Sequence, residues 1–454
     1  MRFHSHSDPA LETEFGAALL ASLAPDGGLW MPSALPRLSE PELARIAAMD
    51  FADAAAELAA RFAGESFSMA ELRAICRDAY DFGVPLVTLE GARFDPVMTE
   101  PAADYILELF HGPTLAFKDF AARFMARGVS RLIGRAGGRR TVLVATSGDT
   151  GGAVGYAFRG QPGVRVVILY PEGGVSEVQE RQLTTIGGNV RALRVRGTFD
   201  DCQALVKAAF ADPGLVAAHD LMSANSINVG RVVPQSFYYM WTALRLAAGH
   251  PGRDIVYAVP SGNLGNVTGA LMARLIGAPI ARIVVGHNRN DPFVDYLRTG
   301  VYEPRDSVPT LSNAMDIGRP NNLARILSLL GDDPARVREV FWGVSVSDEE
   351  TERHLRRVHS TTGYIMCPHT TVGHLAMEAY KAAHPGAVTA VTVATAHPAK
   401  FRASVERIIR EEPPMPPALA RILRRTPVAT DIPPELSALR AELRAESRDE
   451  PVRA

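Results

Sequence analysis

Apolar residues fall at helical spacing in the first part of the chain and in short continuous runs further on. Over LETEFGAALLASL (11–23) and EPELARIAAMDFADAAAELAARFA (40–63) they recur every three or four residues, which predicts helices separated by the turn APDGGLWMP. Residues 1–95 are therefore expected to form a helix-rich N-terminal domain. From about residue 96 the texture changes. TVLVAT, VRVVILY, NVRALRV, DIVYAVP, ARIVVG and AVTAVTVAT are Val/Ile-rich runs, several of which end in Gly-rich turns and lead into helical patterns. Runs without alternation indicate strands covered on both faces, so the expected class is α/β with parallel sheets. Ligands of such sheets bind beyond the carboxyl ends of the strands. Residues 96–410 are expected to carry this core, and 411–454 a helical tail with a frayed end.

Composition narrows the function. With 47% hydrophobic and 22% charged residues, the 454-residue chain reads as an ordinary globular protein of more than one compact unit. A net charge of -2 argues against nucleic acid or an anionic membrane as partner. No run approaches the roughly 18 apolar residues of a membrane helix. Three scattered cysteines and a polar start point to the cytoplasm. The histidines offer no metal-ligand set; His369 and His374 lack the glutamate of an HExxH motif.

Two strand–turn–helix units can bind anions, because a helix start presents free N–H groups and a positive dipole end. One is Ser261-Gly262-Asn263-Leu264-Gly265-Asn266; the other runs Thr146-Ser147-Gly148-Asp149-Thr150. Neither is a Walker A loop or a GxGxxG fingerprint, which disfavours a nucleotide-binding module. Lysine occurs at four positions only, 118, 207, 381 and 400, among 48 basic residues. Lys118 opens a predicted helix after the turn HGPT, flanked by Phe117 and Phe120. The helix dipole and the phenylalanines both favour its neutral amine, which can form a Schiff base where arginine cannot. Lys207 and Lys381 read as surface charges. An imine-forming lysine with a separate phosphate cradle points to pyridoxal phosphate.

The motifs APDGGLWMP, LFHGPTLAFKDFAARFM, ATSGDTGGAVGYAF, SANSINVGR, VPSGNLGNVTG, TLSNAMDIGRPNN and ATAHPAKF, in that order, closely resemble the longer, N-terminally extended threonine synthase family. The resemblance implies the tryptophan-synthase-β-like architecture of pyridoxal phosphate fold type II: two parallel-sheet α/β subdomains with the site between them, plus the N-terminal domain. It implies conversion of O-phospho-L-homoserine and water to L-threonine and phosphate. Lys118 would be the Schiff-base lysine and catalytic base, Gly262, Asn263, Leu264 and Gly265 the cofactor-phosphate loop, and Thr395 the partner of the pyridine nitrogen. Asp149 would face the ring hydroxyl, where shorter relatives carry asparagine. Ser147 and Thr150 would meet the substrate carboxylate, and Asn225, Ser226, Arg231 and Asn266 its phosphate. The partner is then a small molecule, and the chain a monomer or homodimer. A phospho-lyase releasing 2-oxobutyrate, ammonia and phosphate would use nearly the same residues. A serine/threonine dehydratase would leave Arg231 without a phosphate, and a non-catalytic cofactor carrier would not need that cation. The chain departs from the family at HSHSDPALE and at Cys367, where relatives carry aspartate; TLSNAMDIGRPNN is expected to form a tight loop near the pocket, with Asn313 and Asn321 unassigned.

Overall fold

The computed structural model describes residues 1–91 and 104–445, so the expected boundary at 95/96 and the last nine residues lie outside the described residues. All six apolar runs are strands, divided between two sheets. Arg140–Ala145, Val164–Pro171 and Val190–Val195 lie side by side in parallel, with Leu221–Ser223 beside the first and Thr430–Ile432 beside the last. In the other sheet Phe341–Ser345, Ile280–His287, Asp254–Pro260, Val388–Ala394 and Asp104–Glu108 run parallel in that order, and Leu86–Val87 pairs antiparallel at the edge. Every residue of Asp254–Pro260 beyond the first is buried, as a run without polar alternation requires.

Two expectations are corrected. The helix expected from residue 11 begins at Phe15, and Arg2–Ser5, Glu12–Glu14 and Trp30–Pro32 form a three-stranded antiparallel sheet before and after it. Strands of three or four residues are too short for periodicity to separate from helix. The tail is not purely helical either. Between its helices Pro417–Leu423 and Leu436–Ala445, Thr430–Ile432 joins the edge of the five-stranded sheet, and Leu439 and Leu443 pack in one cluster with Leu193, Val195 and Cys202.

The helices Glu40–Ala48, Phe51–Ala63 and Met69–Ala79 start where the sequence supplies caps: Ser39 and Ser68 form capping boxes with Glu42 and Glu71, and Asp50 accepts from the Asp53 N–H. Their apolar faces are continuous with the core. Phe51, Tyr80 and Phe82 pack rings against Phe120, and the Trp241 indole donates to the Met49 carbonyl at 3.0 Å. The Ser223 N–H donates to Ser22 Oγ at 2.8 Å, so the N-terminal segment is tied directly to the edge of the five-stranded sheet. No helix among the described residues is long and apolar enough to cross a membrane.

Candidate active site

The carboxyl ends of Arg140–Ala145, Asp254–Pro260 and Val388–Ala394, drawn from both sheets, converge on a cavity of about 460 Å³. Every site residue expected from the sequence lines it: Lys118, Ser147, Asp149, Thr150, Asn225, Ser226, Arg231, 262–266 and Thr395. Turns flanking the strands of the N-terminal sheet supply part of the wall through His6, Gly27 and Leu29, which the sequence did not indicate.

Lys118 is the first residue of the helix Lys118–Ala136. The preceding turn is locked by Asp119, whose carboxylate accepts from the Thr114 N–H at 2.8 Å and hydroxyl at 2.7 Å. A Cβ at Gly112 would lie 2.5 Å from that carboxylate, so glycine is required there. The Lys118 Nζ lies 4.7 Å from the Phe117 ring centroid and has no hydrogen-bond partner among the described residues. Burial lowers the amine to about 8; Arg231 and Lys400 push the same way, while Asp149 opposes. The expected desolvation by Phe117 is present. Phe120 does not line the cavity and belongs to the aromatic cluster with Phe51, Tyr80, Phe82 and Tyr238.

The helix Gly265–Ile276 opens on Leu264 in the left-handed conformation (φ 58°) with no side-chain cap, leaving its first-turn N–H groups for an anion. A Cβ at Gly262 would come within 2.7 Å of the Met315 backbone, so only glycine lets this turn pass beneath it. Asn266 accepts from Tyr238 at 2.5 Å and Tyr239 at 2.9 Å, while its buried Nδ2 is unpartnered. The second turn is organised by Thr146, whose Oγ1 accepts from the N–H groups of Gly148 at 2.9 Å and Gly151 at 2.8 Å. Gly148 has φ 126°, outside the range of L side chains.

The charge on Asp149 is set by its buried neighbours. The residue is buried, accepts from Gln179 Nε2 at 2.9 Å and pairs with Lys400 Nζ at 3.0 Å. Burial favours the acid, but Lys400, Lys118 and the Gln179 bond outweigh it and hold the carboxyl well below the usual range. Lys400 is fully buried and also donates to Thr114 O and Gln182 Oε1, each at 2.7 Å. It therefore joins the turn before Lys118 to the Asp149 helix. Removing one partner of such a pair leaves the other charge buried and uncompensated. Lys400→Met is expected to lose about 3–5 kcal/mol of stability in chemical denaturation, with a deficit that narrows on acidification as Asp149 takes up a proton.

The expected phosphate residues differ in availability. Arg231 is buried, donates to the Ala224 carbonyl, has an unpartnered Nε, and forms no carboxylate ion pair among the described residues. Burial lowers it to about 10, with Asp119 opposing, so it stays charged at neutral pH. Asn225 is already engaged, its amide donating to Ala145 O at 2.8 Å and its carbonyl accepting from the Ala145 N–H at 3.3 Å. Its side chain thus pins the loop to the end of a strand. Thr395 lies just past the end of Val388–Ala394 and is buried against the cavity.

The loop TLSNAMDIGRPNN lies over the cavity as expected: Ala314, Met315, Ile317 and Asn321 line it. His369 was weighed only as a metal ligand. It is a cavity residue, lowered to about 4 by burial, and its Nε2 accepts from the Ala314 N–H at 3.1 Å. Cys367 caps its helix, accepting from the Thr370 N–H at 3.4 Å. Lys207, read as a surface charge, is exposed but stands at the cavity wall, whereas Lys381 does pair with Asp104 at 2.8 Å. One metal-like group occurs among the described residues: His354, His374 and Glu378. Its members already bond one another and a cation: Arg357 donates to His354 Nδ1 and to Glu378, and His354 Nε2 lies 2.7 Å from His374 Nδ1.

These features fit pyridoxal phosphate: an unpartnered amine of lowered basicity, an uncapped helix start, and a glycine turn that a side chain would block. Family models agree. The pyridoxal-phosphate-dependent enzyme model matches residues 105–396, the threonine synthase N-terminus 2–80 and the threonine synthase C-terminal model 370–442. A threonine synthase of Haemophilus influenzae is 38% identical over 443 residues, covering 98% of this chain and 99% of that protein. This chain belongs to the threonine synthase family. The crystal structure of threonine synthase from Escherichia coli superposes with a TM-score of 0.89 at 36% identity, covering 98% of this chain and all of that one. That of the pyridoxal-phosphate-bound threonine synthase from Brucella melitensis gives 0.89 at 34%, covering 99% and 100%. The two sheets with the cavity between them are thus the α/β architecture of fold type II. The N-terminal sheet and the strand Thr430–Ile432 lie within the segments that match the threonine synthase N-terminal and C-terminal models.

Proposed function

We propose that this chain converts O-phospho-L-homoserine and water to L-threonine and phosphate, with Lys118 holding pyridoxal phosphate and 262–265 holding the cofactor's phosphate. The observation that carries the reading is one cavity containing, among the described residues, an amine without a hydrogen-bond partner and a buried guanidinium without a carboxylate. Bound pyridoxal phosphate supplies the electron sink that lets the proton on the substrate's Cα leave. The Lys118 amine takes that proton, and its lowered basicity keeps a neutral fraction at physiological pH. Thr395 would offer a neutral hydroxyl to the ring nitrogen of the bound cofactor. Asp149, held ionised with its charge balanced by Lys400, would face the ring hydroxyl.

Ser147, Thr150 and the helix start at Asp149 bind the substrate carboxylate. Ser226, Arg231 and Asn266 bind its phosphate, with Asn225 shaping that loop; the guanidinium fork suits a phosphate better than an ammonium would. Holding both anionic ends orients Cα towards Lys118. Cβ then loses a proton, the Cγ–O bond breaks and phosphate leaves with its electron pair. Cγ takes up a proton to become the methyl group, water adds its oxygen to Cβ, and a proton returns to Cα. The enzyme works in the cytoplasm as a monomer or homodimer; three buried, unbridged cysteines support a reducing compartment.

Product analysis is the direct test. Purified enzyme given O-phosphohomoserine is expected to yield threonine and phosphate in equal amounts by mass spectrometry. 2-Oxobutyrate and ammonia as main products would assign the phospho-lyase instead.

A further inference from the structure

The end of TLSNAMDIGRPNN stands beside a second buried cation. Arg325 is fully buried, yet it forms no ion pair with a carboxylate among the described residues. Its Nη1 donates to Ser226 O at 2.8 Å and to Asn322 Oδ1, its Nη2 to Ile227 O at 2.6 Å, and its Nε has no partner. Asn322, also fully buried, donates to Asn263 O at 2.9 Å. The Asn321 N–H donates to Asn263 Oδ1 at 2.6 Å, and Asn263 Nδ2 donates to Ser226 Oγ at 2.9 Å. One guanidinium and three asparagines therefore tie the substrate-phosphate loop to the cofactor-phosphate loop. Burial lowers the guanidinium to about 9, which still leaves it charged at neutral pH. Neutral donors could have made the same bonds to carbonyls without the penalty of burying an unpaired charge. What a guanidinium adds is positive potential in a place where dianions bind.

We propose that Arg325 is a positioning residue of the substrate-phosphate site: it fixes Ser226 and Asn263 in place, and the incoming phosphate, shared with Arg231, supplies the countercharge it lacks among the described residues. This inference rests on the phosphate assignment of Ser226 and Arg231 made above. The test measures KM and kcat for O-phosphohomoserine, and competitive inhibition by inorganic phosphate, on holoenzymes of Arg325→Met, Arg325→Lys and Arg231→Ala. Arg325→Met is expected to raise both KM and the phosphate inhibition constant at least ~10-fold, equivalent to about 1.4 kcal/mol, while retaining bound cofactor and most of kcat. Arg325→Lys keeps the charge without the fork and is expected to fall between. A folded Arg325→Met enzyme with unchanged phosphate inhibition overturns the proposal, as does loss of cofactor and kcat at unchanged KM, which marks a scaffold alone. If Arg231→Ala also leaves phosphate inhibition unchanged, the phosphate-site reading itself has failed. If neither Arg325 variant folds, amide exchange in the wild-type holoenzyme decides. Slower exchange at residues 226–228 on adding inorganic phosphate supports the proposal, and unchanged exchange there overturns it.

Discussion

Lys118→Ala is expected to give a folded, colourless protein whose turnover is at least about 10³-fold lower, the scale of a lost general base, with covalent attachment of the cofactor lost as well. The fold should survive because the amine makes no hydrogen bond that its removal would orphan, and the helix it opens is held by Asp119 and Thr114. Borohydride reduction and peptide mapping of the wild type should place a pyridoxyl group on residue 118. A tag elsewhere would refute the assignment. The amine's environment adds a pH signature. The neutral form is the nucleophile, and it exists above the pKa, so capture of pyridoxal phosphate by the apoenzyme should quicken as pH rises and level off above about 8. An ordinary lysine would keep accelerating towards about 10.4. A midpoint at that higher pH would show that burial does not tune this lysine.

The residues legible in the sequence are those whose chemistry is local. Lys118 stands out because its neighbours in sequence are its environment: the HGPT turn, Phe117 and a helix start. The two Gly-rich turns are legible for the same reason, since a strand, a glycine and an uncapped helix follow one another directly. The partners that finish the site are not local. Lys400 donates to Thr114, 286 residues away, and to Gln182, 218 away, and nothing in ATAHPAKF announces either. Its retention as lysine was the available signal: an ammonium can donate to a carboxylate, a carbonyl and an amide oxygen in three directions where a planar fork cannot. The ionisation of Asp149 was illegible because it depends on that same long-range contact. The N-terminal sheet and Thr430–Ile432 escaped for a different reason. Strands of three or four residues bury too few side chains to print a period. Arg325 reads as one arginine among many until the backbone brings Ser226 and Ile227 to it.

Arg231→Ala should separate substrate binding from cofactor binding. The substrate carries a phosphate that the cavity must take out of water, and Arg231 is a buried cation there with, among the described residues, an unpartnered Nε and no carboxylate to satisfy. Losing one partner of a buried, hydrogen-bonded charge pair costs about 2–5 kcal/mol, so KM for O-phosphohomoserine should rise about 30-fold or more. On the proposed reading the cofactor's phosphate is held by 262–265 and the helix start behind it, which make no hydrogen bond to this guanidinium among the described residues. Colour and cofactor affinity should therefore stay within about twofold of wild type, well below the tenfold that 1.4 kcal/mol would produce. Inorganic phosphate should inhibit the variant more weakly in proportion to the rise in KM, because the same contact serves substrate and released product. Equal loss of colour and of substrate affinity would mean that the two phosphates share one site, and the division of the cavity between cofactor and substrate would have to be redrawn.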